Sequence, residues 1–250
     1  MRKPIMAGNW KLNKTPNETI VFVEEIKPLL AGVDDVEIVI CPPFTSINVA
    51  TYLTKNTNIK VGAQNLYWEK SGAFTGEVSG EMLKELGCDY VIIGHSERRQ
   101  YFGETDRTVN KKILSAFAAG LIPIVCVGET LQERAAGRIE QVISTQIREG
   151  LKGLNAREHG KIIIAYEPVW AIGTGQTATP EQANAAHMLI RKLLTEILGE
   201  AAQAVRIQYG GSVKPDNVKE LLAQPDIDGA LIGGAALKAD SFEKLVKFGR

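Results

Sequence analysis

Short apolar segments alternate with longer amphipathic stretches along the whole chain, and this alternation is the strongest constraint on its fold. We predict strands over Ile5–Asn9, Glu37–Cys41, Lys60–Gln64, Tyr90–Gly94, Pro123–Gly128, Ile162–Glu167, Arg206–Gly210 and Ala230–Gly233. We predict helices over Asn17–Leu30, Phe44–Thr54, Ser79–Leu86, Asp106–Ala119, Leu131–Gly150, Pro180–Leu198, Pro215–Ala223 and Ser241–Phe248. Continuous apolar runs such as Val91-Ile92-Ile93 are typical of parallel strands that are buried on both faces.

Eight strand–helix units in 250 residues match the size and the element count of a (β/α)₈ barrel. We therefore predict one α/β domain over residues 1–250, because no linker, charge block or low-complexity tract marks a boundary. A doubly wound open sheet is the alternative, since it is built from the same alternation. The sequence weakens that alternative, because no GxGxxG motif follows the first strand.

Charge and cysteine usage restrict the partners that we expect. Lys plus Arg and Asp plus Glu both number 29, which argues against nucleic acid or an anionic membrane as the main partner. The three cysteines, Cys41, Cys88 and Cys126, form no CxxC pair, so neither a disulfide framework nor a zinc site is indicated. We expect no metal, no signal peptide and no membrane span, and a reducing, cytoplasmic setting.

The residues that follow the predicted strands carry the chemistry, because barrels of this kind place their sites at the C-terminal strand ends. These residues are Asn9, Lys11, His95, Glu97, Glu167, Ser212, Gly233 and Gly234. Glu167 stands between an apolar run and a loop bounded by Pro168 and Gly175, which is the layout of a base beneath a lid. Burial there is expected to raise the carboxyl pKa and to suit proton abstraction. Taken alone, this segment favours a solvated Glu167 at a strand end, and Lys11 alone favours a surface lysine.

The other residue types suit the movement of a proton next to a carbonyl group in a phosphorylated substrate. His95 precedes the polar run Ser96–Arg99, and a helix start there would disfavour imidazolium and leave a neutral donor. Lys11 would balance the charge of an enediolate and a phosphate. Glycine-rich turns after strands seven and eight offer backbone N–H groups to a dianion.

Several segments resemble the triosephosphate isomerase family, and the resemblance extends over the whole chain. The matching segments are Ala-Gly-Asn-Trp-Lys from Ala7, Ile-Gly-His-Ser-Glu-Arg-Arg from Ile93, Ala-Tyr-Glu-Pro-Val-Trp-Ala-Ile-Gly-Thr-Gly from Ala165, Tyr-Gly-Gly-Ser-Val from Tyr209 and Ile-Gly-Gly-Ala from Ile232. The resemblance implies a single-domain (β/α)8 TIM barrel. It also implies a reversible, cofactor-free interconversion of dihydroxyacetone phosphate and D-glyceraldehyde 3-phosphate through an enediolate, as in glycolysis and gluconeogenesis.

Site roles follow from the same resemblance. It implies that Glu167 is the general base, His95 the electrophile and Lys11 the electrostatic stabiliser of the reaction. Asn9 would orient the substrate, and Glu97 would be a supporting carboxylate near the lysine. Residues 168–175 would form a closing lid. The implied phosphate ligands are the N–H groups of Gly173, Ser212, Gly233 and Gly234.

The segment Gln64–Glu77 is too apolar for a free surface loop. The resemblance implies that it inserts into a second copy of the chain, with Thr75 approaching Asn9 and Lys11 of the partner subunit. A homodimer is therefore expected. The alternative is a loop that folds back over its own barrel.

Two other function classes are alternatives to this isomerase activity. One is a different phosphate-binding barrel enzyme, such as an aldolase or an isomerase of amino-acid biosynthesis. Such an enzyme would need a Schiff-base lysine or an aspartate pair at the strand ends, and the sequence shows neither there. The other is a barrel that has lost activity and binds a partner, which should show a broken base or phosphate loop. Every key residue is present.

Overall fold

A computed structural model describes residues 2–154, 160–172 and 177–249. Within them, eight parallel strands pair in chain order and close into a barrel. The strands are β1 (Ile5–Asn9), β2 (Glu37–Cys41), β3 (Ile59–Ala63), β4 (Tyr90–Ile93), β5 (Ile122–Val127), β6 (Ile163–Tyr166), β7 (Arg206–Tyr209) and β8 (Gly229–Ile232). The predicted (β/α)₈ barrel is confirmed, and the open doubly wound sheet is excluded.

Closure of the barrel depends on β1, which pairs with β2 on one side and with β8 on the other. Ile5 stands opposite both Glu37 and Gly229. Gly229 has a φ of +145°, and a Cβ at this position would lie 2.0 Å from the carbonyl oxygen of Ile5. Only glycine allows the two backbones to approach this closely.

Helices surround the barrel on its outside. The α-helices span Pro16–Leu30, Phe44–Thr54, Gly80–Glu85, Ser96–Tyr101, Asp106–Ala118, Leu131–Ala135, Ile139–Gly150, Pro180–Leu198, Val218–Leu222 and Ala239–Val246. Short 3₁₀ turns cover Val169–Ala171, Gly199–Gln203 and Gly234–Ala236. No helix of the described segments is both long and apolar enough to cross a membrane.

Two of the predicted helices were wrong in extent. The continuous helix predicted over Leu131–Gly150 is two helices, because Gly137 takes a left-handed φ of +68° that interrupts the α-helical backbone. The helix predicted from Pro215 begins only at Val218. The side chain of Asn217 accepts from Lys214 N–H at 2.8 Å and donates to the Ser212 carbonyl at 3.0 Å, which stabilises a turn in place of the first helical turn.

The apolar core has an inner and an outer part, because successive strand residues face opposite sides of the sheet. In β5, Ile124 and Cys126 belong to the cluster inside the barrel, whereas Val125 and Val127 pack in the layer between strands and helices. Both faces of the sheet are therefore buried from solvent. This arrangement explains why the strands appear in the sequence as continuous apolar runs and holds their C-terminal ends rigidly.

Candidate active site

The residues predicted at the strand ends meet around one cavity of about 460 Å³. Its lining includes Asn9, Lys11, His95, Glu97, Glu167, Ser212, Gly233 and Gly234. Gly173, the remaining residue predicted for the site, lies outside the described residues, as does the end of the predicted lid. Side chains from β1, from the loop after β4 and from the end of β6 thus face a common space.

The carboxylate of Glu167 is buried, and hydrogen-bond donors contact both of its oxygens. The residue is 2% exposed, and its Oε1 lies 2.9 Å from Nε2 of His95. Ser96 donates its backbone N–H to Oε2 at 2.9 Å and its hydroxyl to Oε1 at 3.3 Å. Gly210 fits closely behind the side chain, because a Cβ there would lie 2.9 Å from Cγ of Glu167.

The expectation of a raised pKa for Glu167 was wrong for this arrangement. Burial does act to raise the pKa, but His95 and the backbone N–H of Ser96 stabilise the carboxylate, and the net direction is downward. A carboxylate that moves away from these donors toward a substrate would lose the stabilising contacts and keep the burial. Its pKa would then rise.

His95 caps the helix Ser96–Tyr101 with its side chain, as the polar run after it predicted. Its Nδ1 accepts the backbone N–H of Glu97 at 3.2 Å, so the proton of a neutral ring belongs on Nε2, the nitrogen beside Glu167. Burial lowers the pKa of His95, whereas the charges of Glu167 and Glu97 raise it, and the net direction is upward. The prediction of a lowered pKa was therefore wrong in this arrangement, because it left Glu167 out. If the carboxylate of Glu167 moved away, the pKa of His95 would lose the largest influence that raises it.

Lys11 is held over the cavity by its backbone and by its head group. Its φ is +54°, a left-handed conformation that is uncommon outside glycine and that recurs at functional sites. Its backbone N–H donates to Oδ1 of Asn9 at 3.1 Å, and its carbonyl accepts from Nε2 of Gln64 at 2.9 Å. The ammonium group lies 2.6 Å from Oε1 of Glu97.

A glycine-rich part of the cavity wall presents backbone N–H groups. Gly233 precedes the 3₁₀ turn Gly234–Ala236, and the first N–H groups of such a turn have no partner within it. The side chain of Lys11 extends to this wall, since its Cε lies 3.5 Å from the position of a Cβ on Gly233. A cation and a set of N–H donors therefore border the same part of the cavity.

Sequence reasoning missed two residues, one that contacts Glu167 and one that contacts Tyr166 and Trp170 near it. Ser96 was placed in the polar run but given no role, although it contacts Glu167 through both its N–H and its hydroxyl. Glu129 is fully buried and accepts from the hydroxyl of Tyr166 at 3.1 Å and from Nε1 of Trp170 at 2.9 Å. The only sequence signal that could have pointed to Ser96 was its position directly after His95. Glu129 also accepts from Nη1 of Arg134 at 3.0 Å, but its partners Tyr166 and Trp170 lie more than 30 residues away, so no local pattern marks its burial.

Among the described residues, no group of three or more His, Cys, Asp or Glu side chains is arranged to hold a metal ion. The charged groups that line the cavity are one buried carboxylate beside an imidazole, an ammonium paired with a second carboxylate, and the side chain of Lys214. This set can move a proton and stabilise an oxyanion through protein groups alone.

Comparison with known proteins gives a consistent result over the full length of the chain. The family model for triosephosphate isomerase matches residues 4–249. A triosephosphate isomerase of Moorella thermoacetica is 59% identical over 248 residues, which cover 99% of either chain. One of Solibacter usitatus is also 59% identical, over 99% of this chain and 100% of its own. The crystal structure of triosephosphate isomerase from Bartonella henselae is 39% identical, with a TM-score of 0.90 over 98% of both chains.

Proposed function

Since the chain belongs to the triosephosphate isomerase family, we propose that Glu167 is the general base of its aldose–ketose isomerisation and that His95 is the electrophile. The observation that supports this assignment is the 2.9 Å contact between Oε1 of Glu167 and Nε2 of His95 at the wall of the cavity that Lys11 lines. A triose phosphate entering the cavity would separate the two groups. Each would then face the substrate, one at a carbon-bound proton and the other at a carbonyl oxygen.

The proposed steps use the geometry of each group. The carboxylate of Glu167 takes a proton from the carbon next to the carbonyl group, and Nε2–H of His95 donates to the oxygen on which negative charge develops. The ammonium of Lys11 stabilises the enediolate and the phosphate. Asn9 orients the substrate, and Glu97 holds the lysine in place through the 2.6 Å contact. Return of the proton to the neighbouring carbon completes the interconversion of dihydroxyacetone phosphate and D-glyceraldehyde 3-phosphate.

We assign the phosphate group to the glycine-rich wall of the cavity. The N–H groups of Ser212, Gly233 and Gly234 would bind it there, together with that of Gly173 in the predicted lid. The support is the position of the 3₁₀ turn at Gly234–Ala236, whose first N–H groups are free for an anion, and the nearby ammonium of Lys11. Binding at this wall would hold the three-carbon part of the substrate beside Glu167 and His95.

The purified chain is expected to interconvert the two triose phosphates with EDTA present and without added nucleotide, because the proposed chemistry needs protein groups only. Lys11→Met should lower kcat/KM by about 10²-fold, the usual cost of removing one stabilising donor from a developing oxyanion. Lys14→Met is the matched control, because Lys14 lies over the rings of Trp10 and Phe22 and does not line the cavity. A coupled assay measures both variants. Equal losses in the two would contradict the role of Lys11.

We also propose that the chain forms a homodimer through the segment Gln64–Glu77. A second cavity of about 300 Å³ borders Asn9 and Lys11, and its rim includes the exposed side chains of Leu12, Phe44 and Phe102. Large exposed apolar side chains around a cavity suit a protein–protein contact. The ring of Tyr67 stacks on Trp68 at a centroid distance of 4.0 Å and contacts the tilted ring of Phe74 at 4.8 Å, and Thr75 next to them is exposed.

The Thr75→Arg variant is expected to sediment at the monomer mass of 27.2 kDa, whereas the unchanged chain should sediment at twice that mass. A long charged side chain at the tip of the segment would clash with Lys11 of the partner subunit. Thr145→Arg is the control, because Thr145 is exposed on a helix far from this segment in sequence. Analytical ultracentrifugation at one fixed concentration distinguishes the masses. A monomeric parent chain would refute the proposal.

Two further assignments concern the domain organisation and the location of the chain. We propose that residues 1–250 act as one domain, which is supported by the pairing of β1 with β8, because the barrel then needs both ends of the chain. We infer a cytoplasmic location from the three cysteines. All three are buried free thiols, which suits a reducing compartment.

A further inference from the structure

The cavity of about 460 Å³ that is proposed to bind the substrate has a second lysine at its edge, to which sequence analysis assigned no role. Lys214 lines this cavity together with Ser212, Gly233 and Gly234, the residues proposed to hold the phosphate. Lys214 is exposed, whereas Lys11 is only partly exposed. It is therefore the more accessible of these two cations to an anion that arrives from solvent.

A turn after β7 fixes the backbone of Lys214 beside Ser212. The side chain of Asn217 accepts the backbone N–H of Lys214 at 2.8 Å and donates to the carbonyl oxygen of Ser212 at 3.0 Å. Val213, which stands between them, is buried. The lysine and the proposed phosphate ligand are thus held on one turn, and the remaining freedom is in the lysine side chain.

The charge of Lys214 is not cancelled by a nearby carboxylate. Among the described residues, its ammonium group forms no ion pair, whereas that of Lys11 lies 2.6 Å from Oε1 of Glu97. Asp216 stands in the same turn as Lys214 but is not among the residues that line the cavity. Lys214 therefore contributes a positive charge to the cavity without a partner of opposite sign.

The balance of charge in the cavity makes this lysine important for an anionic substrate. With His95 neutral, as the proposed mechanism requires, the other charged side chains of the described lining are Lys11, Glu97 and Glu167. They leave one net negative charge, which would repel a phosphate dianion. Lys214 removes this excess. The chain as a whole has no net charge that could attract an anion in its place.

We propose that Lys214 is a further substrate-binding residue, whose ammonium attracts the phosphate group to the wall formed by Ser212, Gly233 and Gly234. The inference rests on the proposed function and adds one residue to its phosphate site. Lys214 acts on the charge of the ligand and not on the transfer of a proton. Its removal therefore weakens the capture of a phosphate dianion and has little effect on the reaction of substrate that is already bound.

Lys214→Gln is expected to lower kcat/KM by about 3- to 10-fold at an ionic strength of about 0.01 M, mainly through KM, because charges act over about 30 Å at this salt concentration. The difference from the parent should shrink to less than about twofold near 0.5 M salt, where an exposed charge is screened. Lys214→Arg keeps the charge and should keep the parent values. A loss in Lys214→Gln that is equal at both salt concentrations would overturn the proposal, because it would indicate a structural effect.

Lys219→Gln is the matched control for the change in net charge. Lys219 is exposed on the helix Val218–Leu222, which follows the same turn, and it does not line the cavity. This variant changes the charge of the chain by the same amount and should keep kcat/KM near that of the parent. Equal losses in Lys219→Gln and Lys214→Gln would also overturn the proposal.

Binding of inorganic phosphate, measured by phosphorus NMR at low ionic strength, provides a readout that does not depend on turnover. Its dissociation constant should rise several-fold in Lys214→Gln and stay near the parent value in Lys219→Gln. An unchanged constant in Lys214→Gln would refute the role of Lys214, whatever the turnover. Failure of the proposed function is distinguishable from this result, because the parent chain would then bind phosphate without interconverting the triose phosphates.

Discussion

The Glu167→Gln variant is expected to lose about 10²–10⁴-fold in kcat, the range that a positioned general base contributes. The amide has the shape of the carboxylate but cannot accept a proton from carbon. Its oxygen can still accept the N–H of Ser96, which donates to Glu167 at 2.9 Å in the parent chain. We therefore expect the variant to fold normally, so that loss of turnover reports on the chemistry and not on stability.

Glu133→Gln is the matched control for this prediction. Glu133 lines a cavity that Glu167 also lines, and its carboxylate accepts from the N–H of Thr130 at 2.8 Å, a contact that an amide oxygen can reproduce. Loss of charge at this position should leave turnover within a few-fold of the parent. Steady-state kinetics and a thermal melt are measured for both variants. Full activity of Glu167→Gln would remove Glu167 from the role of base.

The lowered pKa of Glu167 affects both its ionisation state and its strength as a base. A carboxylate with a lowered pKa is ionised throughout the neutral range, so the proposed base is in its proton-accepting form in the free protein. The same contacts that lower the pKa would also weaken Glu167 as the proposed base. The proposed mechanism therefore requires that substrate binding separates Glu167 from His95 and Ser96, after which burial would strengthen the carboxylate as a base.

The barrel was predictable because each strand is buried on both faces and therefore appears as an uninterrupted apolar run. The strand bounds agree with the structure to within one residue at either end, as in β6, predicted over Ile162–Glu167 and observed over Ile163–Tyr166. Helix continuity was harder to predict. The break near Gly137 depends on one left-handed glycine, and amphipathic periodicity continues across it without a visible change.

The positions of the site residues were predictable, and their electrostatics were not. Strand ends converge in any parallel barrel, so Asn9, His95 and Glu167 could be placed together from sequence. The pKa of His95 depends on a carboxylate 72 residues away in the chain, and its direction follows from a distance that only the folded structure supplies. Assignment of roles to particular residues came from the family resemblance, because the residues alone left the solvated alternative open.

Glu104→Gln is expected to lower the free energy of unfolding by about 3–5 kcal/mol, because it breaks a buried ion pair and leaves a buried cation. Glu104 and Lys112 are 7% and 5% exposed, and Nζ of Lys112 lies 2.8 Å from Oε2 of Glu104. The same carboxylate accepts from Nε of Arg98 at 2.9 Å and from the backbone N–H of Gly94 at 2.9 Å. It therefore joins the helix Asp106–Ala118 to the residue that precedes His95.

The experiment is a urea titration at one fixed protein concentration, with two comparison variants. Glu243→Gln removes a carboxylate from a partly exposed pair with Lys247, where the loss should be at most about 1 kcal/mol. The double variant of Glu104→Gln with Lys112→Met removes the unpaired cation and should recover part of the loss. A loss for Glu104→Gln no larger than that for Glu243→Gln would contradict the prediction.

The loss should also depend on pH in a defined direction. Burial raises the pKa of Glu104, but Lys112 and Arg98 more than offset it, and the net direction is downward from the ordinary value of 4.5. A carboxylate whose folded-state pKa is lowered stabilises the fold above its unfolded pKa, and this contribution disappears as the pH falls through the folded value. The parent chain and Glu104→Gln should therefore differ most near neutral pH and converge below pH 4.5. A difference that stays constant into acid would show that shape, and not charge, makes Glu104 important to the fold.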